Sequence, residues 1–242
     1  MNGVSSDSPV PATEFLRTHA PLAPLPLCPT LVAHRAPDLV GLWEAWERVC
    51  GRRCETPFWG IAWPAGSVLA GMVLDRHIDV SGLSVLDIGA GGGIVPIAAA
   101  KAGAAHAVAN DIDPVALHVS RLNAEANGVA IDTDERDYDT LENLPRPDIV
   151  TAADMFYENR GTSAVQPLLR RFSAGGSRVI IADAQRTYTP TKGLVCLEQC
   201  EVAVDYDVES VRSRLVRVME YKAETATEEL ESNRNRHTPA KG

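Results

Sequence analysis

No run in the chain approaches the ~18 apolar residues that a membrane-spanning helix needs, so no transmembrane anchor is expected. Basic residues are in the minority. Lys and Arg number 23 against 32 Asp and Glu, a formal charge of −9. That balance disfavours a nucleic-acid partner and suits a basic one, such as a lysine-bearing protein surface, although ordinary solubility explains it as well. An even cysteine count is also lacking. Cys28, Cys50, Cys54, Cys196 and Cys200 make five, which points to reduced thiols in a cytoplasm. The pairs Cys50/Cys54 and Cys196/Cys200 are spaced i,i+4. Metal sites more often leave two residues between thiols and add histidines, so no metal is expected. The opening "MNGVSSDSPVPATEF" has no basic region, no apolar region and no Arg-rich amphipathic pattern, and it reads as neither signal nor transit peptide. No internal repeat is present.

The 242 residues are 45% hydrophobic, enough to bury the core of one large α/β domain with extensions. Three regions are expected: an extended and helical lead over 1–55 packing on the core, a main domain over 56–221, and a charged, solvated tail over 222–242. Within the lead, residues 1–12 are expected to be disordered. The Pro-rich "PLAPLPLCPT" (21–30) is expected to run extended over the surface. Residues 36–50 put Leu39, Leu42, Trp43, Trp46 and Val49 on one helical face, with Asp38 as cap. Residues 66–75 form another helix.

From residue 84 the pattern alternates. "SVLDIG" (84–89), "HAVAND" (106–111), "DIVTAAD" (148–154), "SRVIIADA" (177–184), "CEVAVDY" (200–206) and "RLVRVMEY" (214–221) read as strands. Helices fall over 94–103 and 113–128, the second capped by Asp113 with Pro114 at its first position. The implied fold is a Rossmann-like, doubly wound, mostly parallel α/β sheet.

In "VLDIGAGGGIVPI" a buried strand ends at Asp87 and leads through Gly89, Gly91 and Gly93 into a helix. These glycines let the turn adopt positive φ and let a ligand approach the backbone, and the helix start offers free N–H groups. A dinucleotide fingerprint would want a third Gly at position 94, which is Ile, and no G-K-[ST] follows for a P-loop. An acid inside such a turn suits a cation better than a pyrophosphate. S-adenosylmethionine carries a sulfonium, an ammonium and a ribose; Asp87 would sit near its positive end. Asp111, 22 residues after Gly89, would accept from both ribose hydroxyls. Asp113 reads as the cap. In "RDYDTL", Asp137 would meet the adenine's exocyclic amine and Tyr138 would stack on its ring, with an exposed loop as the plain alternative.

"VLDIGAGGG" with "NDIDP" resembles the class I, seven-strand S-adenosylmethionine-dependent methyltransferases. More narrowly, "PFWGIAWPAGSVLAGMVLD", "DMFY" and "DAQRTYTP" resemble the electron-transfer-flavoprotein β-subunit lysine methyltransferases and their nicotinamide N-methylase-like bacterial relatives. That resemblance implies a D-x-x-Y motif at Asp154 and Tyr157 and a Trp-Pro element at Trp63 and Pro64. The family's D-P-G-R stretch becomes Asp183, Ala184, Gln185 and Arg186 here, and "VRVMEY" replaces its Val-Trp. It also implies N-methylation of a protein lysine, as of a flavoprotein β-subunit, with methylation of a small amine and a non-catalytic scaffold as alternatives. Asp154 would then orient an ammonium or act as its base, and Tyr157, Phe156 and Trp59 or Trp63 would line a slot for it, with Trp63 also at the cofactor and Arg186 as a further substrate contact. Core packing is the plain alternative for Trp59 and Trp63, and capping of the helix after the strand is the plain alternative for Asp154.

Overall fold

The computed structural model describes residues 9–157, 161–190 and 192–221. The expected tail, residues 1–8, and Glu158, Asn159, Arg160 and Thr191 lie outside these. Residues 9–12, expected to be disordered, lead directly into helix α1 (Thr13–His19), and the Pro11 backbone hydrogen-bonds the His118 ring.

The Pro-rich segment runs extended, as expected, with Leu22, Pro24, Pro26, Pro29 and Thr30 exposed. It forms an antiparallel hairpin, β1 (Leu22–Leu25) with β2 (Cys28–His34), whose Leu25, Cys28 and Leu31 are buried in the main core. Among the described residues no further strand pairs with β2; side chains take that place. At the end of helix α5 (Pro114–Ala126), Asn127 accepts from the Val32 N–H at 3.1 Å and donates to the Val32 carbonyl at 2.6 Å. One turn earlier, Asn123 accepts from the His34 N–H at 2.7 Å and donates to the Gly92 carbonyl at 2.8 Å. Asn123 therefore ties the hairpin to the glycine turn. Asn123→Ala leaves both half-buried backbone groups without this partner and is expected to cost about 1–2 kcal/mol in urea unfolding. A loss below about 0.5 kcal/mol would remove this link.

Helix α2 (Leu39–Cys50) buries Leu42 and Trp46 as its periodicity demands. Val49, expected on the same face, is exposed, and Asp38 occupies the cap position without a side-chain capping bond. Leu42 and Trp46 pack with Trp59 and with Val115 and Val119 of α5, so the lead closes over the start of that helix.

Seven strands build the sheet: β3 (Ser84–Ile88), β4 (His106–Asn110), β5 (Asp132–Asp134), β6 (Ile149–Ala153), β7 (Arg178–Asp183), β8 (Leu194–Ala203) and β9 (Ser213–Tyr221). Their order is β5-β4-β3-β6-β7-β9-β8; only β9 runs antiparallel to its neighbours β7 and β8. Alternate residues of the central strands face two cores. Val85, Ile149 and Ile180 meet α3 (Pro64–Leu74) and α4 (Ile94–Lys101). Leu86, Val150, Val179 and Ile181 meet α6 (Gln166–Ala174) through Leu168, Leu169 and Phe172. The chain reverses direction across the sheet between β3 and β6, and the crevice beyond their carboxyl ends is where such folds place ligands. A four-residue helix, α7 (Tyr206–Glu209), closes the same end between β8 and β9. No helix among the described residues is long and apolar enough to cross a membrane.

Candidate functional site

The glycine turn occupies one wall of the crevice. Gly89, Gly91 and Gly93 all have positive φ, between 52° and 75°. Gly93 is also sterically obligatory, and Gly89 lies against a flexible side chain. A Cβ on Gly93 would lie 2.6 Å from the Ser120 Cβ, and one on Gly89 would collide with the Met155 sulfur. Met155 thus lies directly over the turn, a placement that nothing in its local sequence announces. Beneath it Asp87 is buried, and its Oδ1 accepts the Thr151 hydroxyl at 2.6 Å across the β3–β6 pair.

Asp111 directly follows β4 and ties two turns together. Its Oδ2 accepts from the Gly91 N–H at 2.9 Å and its Oδ1 from the Asp113 N–H at 3.0 Å. Each oxygen keeps acceptor capacity for a further donor. Asp113 caps α5 as expected, accepting from the Val115 N–H at 2.8 Å. Asp137 caps the short 3₁₀ turn Tyr138–Thr140. Tyr138 departs from expectation. Its ring is 2% exposed, packed edge-on against Phe172 with the Arg136 guanidinium on it, and its hydroxyl donates to Asp134. In this arrangement no ring face is open to an adenine.

Opposite the glycine turn stands Asp154, with a left-handed φ of 54° and 8% exposure. It does not cap the segment that follows it. Instead its Oδ2 accepts from the Ala65 and Gly66 N–H groups at 2.9 and 3.1 Å, capping the remote helix α3. Its Oδ1 has no hydrogen bond and faces the Arg186 guanidinium at 3.9 Å.

Two expected slot residues are elsewhere. Phe156 is 0% exposed in the α6-side core, and Trp59 is 3% exposed against Leu42, Trp46 and Val119. The Trp59 backbone instead approaches Gly91 and Gly92 of the turn. The rings that do surround the mouth are Phe58, Trp63 and Tyr157. Phe58 packs edge-on against Trp63 at 5.8 Å and against Tyr157 at 5.3 Å, and Tyr157 is 47% exposed. Arg186 lies on the Trp63 ring at 5.6 Å and is gripped by Glu209 through both terminal nitrogens, at 2.9 and 2.6 Å. Neither Phe58 nor Glu209 carries a sequence signal for this position.

Burial pushes the carboxyls of Asp87 and Asp154 up to about 7, against the Thr151 hydroxyl in one case and the Gly66 and Ala65 amides and Arg186 in the other. Both groups therefore hold protons in the native state at pH values where the unfolded chain has already lost them. Their contribution to stability is complete below about pH 4 and declines as the pH rises through about 7. Asp87→Asn is expected to remove part of that decline, raising the thermal midpoint at pH 8 more than at pH 5. Equal shifts at both values would contradict the assignment.

Residues 69–153 match the family model for ribosomal protein L11 methyltransferase (PrmA). The human electron transfer flavoprotein β subunit lysine methyltransferase is 38% identical over 144 residues, covering 58% of this chain and 54% of that protein. The rat protein of the same name is 34% identical over 151 residues, covering 58% and 56%. The chain thus spans about half the length of these curated relatives. Ribosomal protein L11 methyltransferase of Escherichia coli (strain 55989 / EAEC) is 55% identical over 53 residues, 22% of this chain and 18% of that one. Two solved structures share the fold. A Pyrococcus horikoshii protein, provisionally described as an RNA methyltransferase, matches with a TM-score of 0.53 at 18% identity over 72% of this chain and 91% of its own. The Thermus thermophilus 16S rRNA N2 G1207 methyltransferase matches with 0.50 at 22% identity over 68% and 44%.

Proposed function

We propose that the chain is an S-adenosylmethionine-dependent N-methyltransferase whose acceptor is a lysine side chain of a protein. The observation that carries this reading is Asp154: a buried carboxylate with one unbonded oxygen, three residues before Tyr157, whose ring joins those of Phe58 and Trp63, across the sheet's switch point from the glycine turn. The 34–38% identity to lysine methyltransferases of the flavoprotein β subunit supports a protein acceptor of that kind. The acidic balance supports a basic partner rather than a nucleic acid. Five cysteines, all free, support a cytoplasmic setting.

The residues fit the cofactor. Positive φ at Gly89, Gly91 and Gly93 keeps the turn free of side chains, and Asp111 retains acceptor capacity on both oxygens for a ribose. Asp87 adds negative charge below the turn once ionised, and Asp137 stands beside Tyr138 at the far wall. When bound, S-adenosylmethionine supplies a methyl group made electrophilic by its sulfonium. The chain's own residues prepare the nitrogen. An unperturbed lysine amine has a pKa near ~10.4 and must lose a proton before its lone pair is available. Removal from water into this crevice lowers that value. Asp154 Oδ1 accepts an N–H and orients the nitrogen, while the rings of Phe58, Trp63 and Tyr157 accommodate the alkylammonium and exclude water. Incubation with S-adenosylmethionine and purified electron transfer flavoprotein β subunit, followed by peptide mass spectrometry, is expected to show methylated lysine. A methylated small molecule in place of methylated lysine would contradict the protein acceptor.

A further inference from the structure

Strands β6 and β7 run parallel in a register that sets Ala153 beside Ala182. The next residue on each is an acid, so Asp154 and Asp183 stand side by side at the carboxyl end of the sheet, where the Asp154 N–H donates to the Ala182 carbonyl at 3.0 Å. Their environments mirror each other. Asp154 Oδ2 is held by two amides and its Oδ1 has no hydrogen bond. Asp183 Oδ1 is held by the Arg186 N–H at 2.7 Å and by the Thr189 hydroxyl, and its Oδ2 has no hydrogen bond. Both residues are more than nine-tenths buried, Asp183 completely.

The nearest cation does not satisfy these oxygens. Glu209 occupies both terminal nitrogens of Arg186, leaving Nη2 3.9 Å from Asp154 Oδ1, beyond hydrogen-bond range. Glu209 is itself held by Arg214 Nε at 2.9 Å. Arg186 Nε is the third unpartnered polar atom of the group. With all groups ionised, Asp154, Asp183 and Glu209 would face Arg186 and Arg214 with one negative charge left over, and burial accordingly pushes the Asp154 and Asp183 carboxyls up, so that both ionise together only when a cation joins them. Two buried acceptor atoms and a charge deficit at one place are costly unless a ligand supplies donors and a cation.

We propose that Asp183 is a second acceptor-binding carboxylate and that the pair Asp154–Asp183 selects a primary alkylamine. This rests on the N-methyltransferase reading above. A neutral primary amine has two N–H bonds and one lone pair. Donating one N–H to each unbonded oxygen uses both hydrogens, and the tetrahedral nitrogen then fixes where its lone pair points. The protonated form also brings the missing positive charge as it enters. A pyridine nitrogen has no N–H and leaves both oxygens unpaired, so the site rejects it. Glu209 is the positioning residue that keeps the Arg186 guanidinium off the two oxygens.

The test compares wild type, Asp183→Asn and Thr189→Val with two acceptors, purified electron transfer flavoprotein β subunit and nicotinamide, while calorimetry follows S-adenosylmethionine affinity. Asn keeps an acceptor for Thr189 and the Arg186 amide but turns the free oxygen into a donor. The expected result is a fall in kcat/KM for the protein acceptor on the order of 100-fold, with cofactor affinity within about twofold of wild type. Thr189→Val, which only loosens the carboxylate, is expected to raise KM several-fold with kcat nearly unchanged. Activity of Asp183→Asn within about threefold of wild type would overturn the proposal and leave the methyltransferase reading standing. Methylation of nicotinamide by the wild type, at its ring nitrogen or its carboxamide, would also overturn it. Methylation of neither acceptor would remove the lysine reading, and this proposal with it. If Asp183→Asn fails to fold, an unchanged KM in Thr189→Val overturns the proposal by itself.

Discussion

Asp154→Asn is expected to lower methyl transfer on the order of 100- to 1000-fold while S-adenosylmethionine binding and thermal stability stay close to wild type. Both halves of the expectation follow from the two oxygens. Oδ2 accepts from the Ala65 and Gly66 amides, and an Asn carbonyl can take over that cap. Oδ1 is the unbonded oxygen, and the Asn amide replaces it with a donor that repels an incoming N–H. Asp154→Ala separates the two contributions. It should lose transfer to the same extent and, in addition, about 1–2 kcal/mol of stability, because the first turn of α3 is left uncapped. Full activity in Asp154→Asn would take this carboxylate out of the reaction. Tyr157→Phe, assayed alongside, reports whether the hydroxyl or only the ring at the mouth matters.

Asp111→Ala is expected to weaken S-adenosylmethionine binding on the order of 30- to 100-fold by calorimetry, the scale of two lost hydrogen bonds at about 1–1.4 kcal/mol each. Part of that loss is indirect. Asp111 also holds the Gly91 and Asp113 amides, so its removal frees the glycine turn from the start of α5. Asp111→Asn divides the two effects, since its carbonyl can keep one amide while its NH₂ cannot accept from a hydroxyl. An unchanged affinity in the Ala variant would remove Asp111 from the ribose.

Local signals were readable where a residue's role is local. Asp113 followed by Pro114 marks the start of α5, and the apolar alternation of the central strands marks the two cores. Strand β5 escapes such reading because "DTD" has no apolar residue; it exists only by pairing with β4. Strand β8 begins at Leu194, six residues before the stretch read as strand, because an edge strand buries little and shows no alternation. The Pro-rich lead was legible as extended but not as a hairpin, since β2 is held at Val32 and His34 by Asn127 and Asn123, far along the chain.

Much the same division runs through the site. Gly89, Gly91, Gly93, Asp111 and Asp154 could be named from motifs, and they gather at the switch point. Which aromatic faces the mouth could not be named. Adjacent residues point in opposite directions, so Phe58 lies outside with Trp59 inside, and Tyr157 outside with Phe156 inside. Nor could the second task of Asp154 be foreseen, because the helix it caps lies 89 residues earlier. Glu209, which restrains Arg186, comes from a helix of four residues with no pattern to mark it.

Incubation of a whole cell lysate with methyl-labelled S-adenosylmethionine and either wild type or Asp154→Asn tests the central claim most directly. A labelled protein band with wild type, its label on lysine, and no such band with Asp154→Asn is the predicted result. Label confined to small molecules, or equal protein labelling by both chains, would contradict it.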